Sequence, residues 1–296
     1  MKFWKSWLSQ KNRYIPFLIL FPCLYFLGWI IVLPARFLYI DFAQESHSLM
    51  GTIITFLIFL LILPSWSRNR WDFKYLFNDI ICIFPINKNH LNYLLQGFLK
   101  SSLLVIFVFL TLIISPYSGL KNELNLAVFI NSLFLGLGVG FAEEIIFRFW
   151  LFGEIRSLCK YKSAIILQAL IFSLCHLKFG QSLYQILPQL LGLFLLGLIL
   201  MQIRIINKGS IWGAVGFHSG IVGIWFLLSS SFIELRNTLP IWFFGVSKDG
   251  AHSNPIAGLM AIFLLLIFYF IQLRDVESSL KAPGLDLKAS SIGAKP

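Results

Sequence analysis

Charge is the scarcest thing in this sequence. Only 12% of its 296 residues are Asp, Glu, Lys or Arg, about half the share of a soluble domain. A chain this long with so little polar surface cannot clothe a water-soluble globule, which excludes an ordinary soluble enzyme. Cysteine is sparse too: Cys23, Cys82, Cys159 and Cys175 stand apart with no C-x-x-C pair, which argues against a disulfide framework or a zinc knuckle. Acidic residues are outnumbered, 13 against 24 basic, for a net charge of +11. In a soluble protein that excess would suggest nucleic acid. Here membrane topology and anionic lipid headgroups account for it, and no nucleic-acid partner is expected.

What the chain has instead is apolar length. Hydrophobic residues make up 58%, Phe alone occurs 31 times, and the mean hydropathy is +0.81. The apolar runs fall near 14–34, 50–64, 101–117, 126–153, 163–177, 183–203, 209–229 and 256–273. At about 20 residues per span this predicts an all-α, polytopic integral membrane protein of about eight transmembrane helices. Trp66 and Trp71, just past the short second run, suit an interfacial belt. Segment 66–99 reads as one or two helices lying in the interface, and Ile241-Trp242-Phe243-Phe244 as a stretch returning to the membrane surface. The basic start resembles a signal peptide, but the apolar run exceeds a signal core and no small-x-small site follows cleanly. No long internal repeat is present.

Lysine and arginine positions orient the map. With a cytoplasmic N-terminus, eighteen fall in inside segments, five (Arg36, Lys121, Lys178, Arg236, Lys248) outside, and Arg148 within a span. This asymmetry predicts both termini in the cytoplasm. The organisation expected is a three-span region with interfacial helices over 1–125, a core over 126–230, an interfacial loop and last span over 231–273, and a disordered tail over 274–296.

Ionisable groups inside a span cost about 2.5–3.5 kcal/mol each on insertion scales, so they mark function by default. Here they are few: Glu143, Glu144 and Arg148 in the fourth span, His176 in the fifth, His218 in the seventh. Glu144 and Arg148, four apart, share a helical face and can pair; by themselves they fit a structural ion pair. Glu143 would be turned about 100° away and left free. His176 alone would pass for an interfacial histidine. His218 alone, among Gly213, Gly216, Gly220 and Gly223, would pass for a residue bonding a closely packed neighbour. Together, a desolvated carboxylate and two histidines suffice to activate water and stabilise a tetrahedral intermediate.

The order E-E-x-x-x-R, F-x-x-x-H and a third helix with His resembles the CPBP family, the CAAX proteases and bacteriocin-processing enzymes. These include the type II CAAX prenyl endopeptidases, often described as intramembrane metalloproteases. The likeness runs from about Leu133 to Leu228. Gly209-Ser210-Ile211-Trp212 and Asn254-Pro255-Ile256-Ala257-Gly258 also look like bacterial, notably cyanobacterial, members. The resemblance implies that Glu143 is the water-activating base and that Glu144 and Arg148 shape and orient it. It implies that His176 holds the water or a metal, with Phe172 one turn before it, and that His218 binds metal or polarises the scissile carbonyl. Zn²⁺ on Glu143, His176 and His218 is the cofactor such a site would take; a metal-free glutamate base would use the same residues. The family commonly has Asn four residues after that third-motif His, where this chain has Val222. Ser219, the neighbouring hydroxyl, points about 100° from His218.

Other intramembrane protease chemistries lack their residues, for there is no H-E-x-x-H, no G-x-G-D and no G-x-S-x-G. The reading is an intramembrane endopeptidase acting on a membrane-anchored or lipidated substrate in a bacterial plasma or thylakoid membrane, with membrane lipids as its surroundings. Substrate, metal use, the face the cavity opens to and oligomeric state stay open. Val222 keeps a second reading in play, a non-catalytic homologue acting as a membrane scaffold or assembly factor. A proton-coupled carrier would show paired interrupted helices in two related halves, and neither is found.

Overall fold

A computed structural model describes residues 14–38, 44–71, 88–177, 181–245 and 255–281. The chain divides into two compact units, Met1–Ile80 and Ile81–Pro296. In the first, α1 (Tyr14–Leu38) packs on α2 (Gln44–Arg70). Gly28 permits the approach, since a methyl group there would overlap the Thr55 hydroxyl. That hydroxyl donates to the Gly51 carbonyl at 2.8 Å and lies 3.3 Å from the Leu24 carbonyl, so it is satisfied without water. Trp66, expected at the interface, is fully buried within the protein, with the Arg70 guanidinium 5.0 Å from its ring.

The second unit comprises α3 (Lys88–Ile114), β1 (Ser118–Leu120), α4 (Leu126–Glu143), a π-helical segment (Glu144–Leu151), α5 (Phe152–Arg156), α6 (Tyr161–Leu174), α7 (Leu183–Ile206), α8 (Trp212–Ser231), β2 (Ile233–Leu235), α9 (Ile241–Phe244), a 3₁₀ turn (Pro255–Ala257) and α10 (Leu259–Lys281). Across the described residues, seven helices are long and apolar enough to cross a membrane; α6, at 14 residues, is a shorter apolar helix. The chain is an all-α polytopic membrane protein. Its eight expected spans are the seven and α6.

Several expected boundaries move. Residues 88–99 are not a separate helix but the first part of α3, while 72–87 fall outside the described residues. The last helix runs eight residues past 273, to Lys281. The Ile241–Phe244 stretch forms the short helix α9. Trp242 stays exposed, but Phe244 is buried in the core and meets the Tyr117 ring edge-on at 6.3 Å.

α8 is the axis of this unit, pressed between α3 and α4. One edge carries Gly216 and Gly220, spaced to face one way. A methyl on Gly216 would overlap the Leu94 carbonyl of α3, and one on Gly220 the Ser101 hydroxyl. A second edge meets α4, where a methyl on Gly136 would lie 2.7 Å from the Ser219 carbonyl and 2.9 Å from Gly223 Cα. Without a hydrophobic force between helices in lipid, such small-residue contact is what holds them. α4 starts at Asn125, whose side chain accepts from the Val128 amide at 3.0 Å and caps the first turn. At the other end of α8 from His218, β1 and β2 pair antiparallel with Gly119 opposite Glu234. They tie the α3–α4 connection to the chain leaving α8.

Candidate active site

The site forms where α4 changes its winding. From Glu144 to Leu151 the helix is π-helical, then returns to α as far as Arg156. A wider turn opens the hydrogen-bonded ladder, and the carbonyl of Arg148 accepts from the guanidinium of Arg204 on α7 instead. The same side chain donates from Nε to the Gly209 carbonyl at 3.0 Å. Gly209 itself has φ 91°, a left-handed turn that glycine takes without strain. Arg204 had counted among the cytoplasmic basic residues; it is buried here.

Consecutive carboxylates reach the same imidazole. Glu144 Oε1 lies 2.9 Å from His218 Nδ1 and 3.0 Å from Arg148 Nη1. Glu143 Oε2 lies 3.7 Å from His218 Nε2 and 3.3 Å from His176 Nε2. The expectation that Glu143 would turn away from its neighbour is therefore corrected: both close on His218, from opposite ends of its ring. The Glu144–Arg148 pair expected from the spacing is present and wholly buried. All five residues singled out in the sequence meet at one place.

Acceptors on the far sides of the rings fix the tautomers. His176 Nδ1 is 2.7 Å from the Phe172 carbonyl, which can only accept, so that nitrogen carries a hydrogen. His218 Nδ1 faces the carboxylate held by Arg148 and carries one likewise. Both Nε2 atoms then turn toward Glu143 Oε2. Phe172, fully buried, is the platform beneath: Arg148 lies 4.0 Å above its ring, and the His176 and His218 rings are 4.6 Å and 6.1 Å away. Exposure grades across the site. Glu144 and Arg148 have none and His218 has 5%, whereas Glu143 and His176 keep 24% and 27%. Glu143 and His176 are the most open of the five, and His218 turns its Nε2 toward the same point.

The point between Glu143 Oε2 and the two Nε2 atoms suits a proton, a hydrogen of water or a cation. The donor types would suit Zn²⁺, but their arrangement does not: among the described residues no group of three or more His, Cys, Asp or Glu is set to hold a metal ion. Val222 lies half-buried one turn after His218 and offers no donor. Ser219 turns to the α4 contact, where its hydroxyl would be overlapped by a methyl on Gly140. Sequence reasoning missed Gln168, Gln189 and Arg204, all buried. Their signal in the sequence is a polar side chain within or at the end of an apolar run.

Residues 125–224 match the family described as type II CAAX prenyl endopeptidase Rce1-like. The Rce1-like region is about a third of the chain and holds all five residues of the site together with Phe172 and Gln189. Residues 4–75 match a domain of unknown function, DUF8676. Searches of curated proteins and of solved structures gave no match.

Proposed function

We propose that the chain is a glutamate-dependent intramembrane endopeptidase that hydrolyses a peptide bond of a membrane-anchored substrate, with 126–230 as its catalytic core. The observation that carries this is the convergence of Glu143 Oε2 on both imidazole Nε2 atoms, at 3.3 Å and 3.7 Å. Two carboxylates and one guanidinium leave one negative charge, which a single proton shared among Glu143, His176 and His218 balances in a site largely closed to water.

Water donates one hydrogen to Glu143 and the other to the bare Nε2 of His176. Its oxygen attacks the scissile carbonyl as Glu143 takes the first proton. With the shared proton on His218 Nε2, that ring donates to the developing oxyanion, the task that Val222 cannot perform. Glu144 holds the opposite nitrogen of the ring, and Arg148 holds Glu144. Collapse of the tetrahedral intermediate breaks the C–N bond, and Glu143 returns its proton to the leaving amine. A lipidated C-terminal tail of the CAAX type is the substrate class the family match favours, with a signal-like or bacteriocin precursor next. The segments around Gly209 and Asn254 support a bacterial plasma or thylakoid membrane.

Terminal proteomics of membrane proteins, in cells carrying wild-type or Glu143→Gln protein at matched abundance, tests this. The expected result is a set of new termini that vanish in Glu143→Gln, with cleavage of any one substrate down by about 10²–10⁴-fold. Identical termini, with the null phenotype rescued by Glu143→Gln, would replace the proteolytic reading by the scaffold that Val222 favours.

A further inference from the structure

We propose that Gln189 of α7 is a positioning residue for His176, holding the turn that presents its Nε2 to Glu143; this rests on the proteolytic reading above. α6 ends at Leu174, and the last carbonyls of a helix have no donor within it. Where lipid surrounds a helix end, it supplies none. The protein supplies two. The Phe172 carbonyl accepts from His176 Nδ1 at 2.7 Å, and the His176 carbonyl accepts from Gln189 Nε2 at 2.7 Å.

The first of these fixes the ring and the second fixes the backbone that carries it. Other hydrogen bonds of the turn are local and longer, from the His176 amide to the Ser173 carbonyl and from the Leu177 amide to the Leu174 carbonyl, both 3.2 Å. Gln189 is buried, and its Oε1 accepts from Gln181 Nε2 at 2.6 Å. That contact commits the oxygen and leaves the amide hydrogens for His176. The α7 backbone beneath it is also set. Gln185 reaches back to the Ser182 amide at 3.0 Å and closes the first turn of the helix. Two turns deeper, Gln168 of α6 donates to the Gly197 carbonyl of α7 at 3.2 Å, so the helices are held in register at two levels. The His176 Nε2 to Glu143 Oε2 distance of 3.3 Å is thus referred to α7 through one amide. A shift of about 1 Å in such a geometry costs on the order of 10²-fold in rate.

The full-length protein in proteoliposomes provides the test, with a substrate found by the proteomic comparison. Gln189→Leu keeps the bulk and removes the donor. Its kcat is expected to fall about 10- to 100-fold, with KM within about twofold of wild type. Gln189→Glu adds a readout that packing alone would not move. As a carboxylate the new side chain cannot donate to the His176 carbonyl; once protonated it can. Its kcat relative to wild type should therefore climb as pH falls, while that of Gln189→Leu stays flat, the titration of Glu143 and His176 being common to all three. Should Gln189→Leu not accumulate, Gln189→Glu alone carries the test. Hydrogen exchange over 172–183 should be faster in the variants at neutral pH. Wild-type kcat in Gln189→Leu, no acid recovery in Gln189→Glu, or unchanged exchange would each overturn the positioning role while leaving Glu143 as the base. Identical products from wild type and Glu143→Gln would instead remove the proteolytic reading, and the positioning role with it.

Discussion

Val222 is the residue whose chemistry is most open to direct trial. It stands one turn beyond His218, where a side-chain amide could add a second donor for the oxyanion. Val222→Asn should raise kcat, by up to about tenfold, since removing one such donor elsewhere costs 10²–10³-fold and His218 already serves here. Single-turnover cleavage in matched proteoliposomes checks it; a fall in rate would mean that the carbonyl oxygen lies elsewhere. The ionisable residues of the site were legible because water-seeking groups in apolar runs have few explanations. Glu143, Glu144, Arg148, His176 and His218 stood out for that reason. What the sequence hid was the relation between the first two, because the 100° step of an α-helix places neighbours apart and the π-helical winding at Glu144 does not follow that step.

Among elements, the helices themselves were legible in outline and their ends were not. Hydropathy finds where a chain must be apolar, but α3 begins at Lys88 and α10 ends at Lys281 with charged turns that read as interfacial or tail sequence. Buried amides were overlooked on the same ground, since a glutamine such as Gln168 costs a span less than a charge does and draws no notice. The glycines of α8 were legible as packing, and their contacts now rank them. Gly216→Ala would drive a methyl into the Leu94 carbonyl, backbone that cannot swing aside, whereas Gly138→Ala meets nothing within 4 Å. Gly216→Ala is expected to lose most folded protein in detergent-solubilised size-exclusion profiles, and Gly138→Ala to match wild type. Equal profiles would show that α3 and α8 can separate at little cost.

For the whole molecule, the sidedness drawn from basic residues makes a definite demand. The turn between α5 and α6 should face the cytoplasm and the connection before α4 the opposite side. In a chain freed of its native cysteines, Lys160→Cys should react with a membrane-impermeant maleimide only in inverted vesicles, and Asn122→Cys only in intact cells or right-side-out vesicles; the reverse pattern would invert the topology. One element makes the bilayer itself a participant. α6 has 14 residues, about 21 Å at 1.5 Å per residue, against a hydrocarbon layer of about 30 Å. Past Leu174 the chain of Cys175–Leu177 is no longer helical, and acyl tails adapt to such a shortfall by thinning. The hydrolysis proposed for this site consumes one water for every bond cut, in a medium that holds almost none. A helix this short leaves little apolar length between His176 and the aqueous boundary, so membrane thickness sets how far that water must travel.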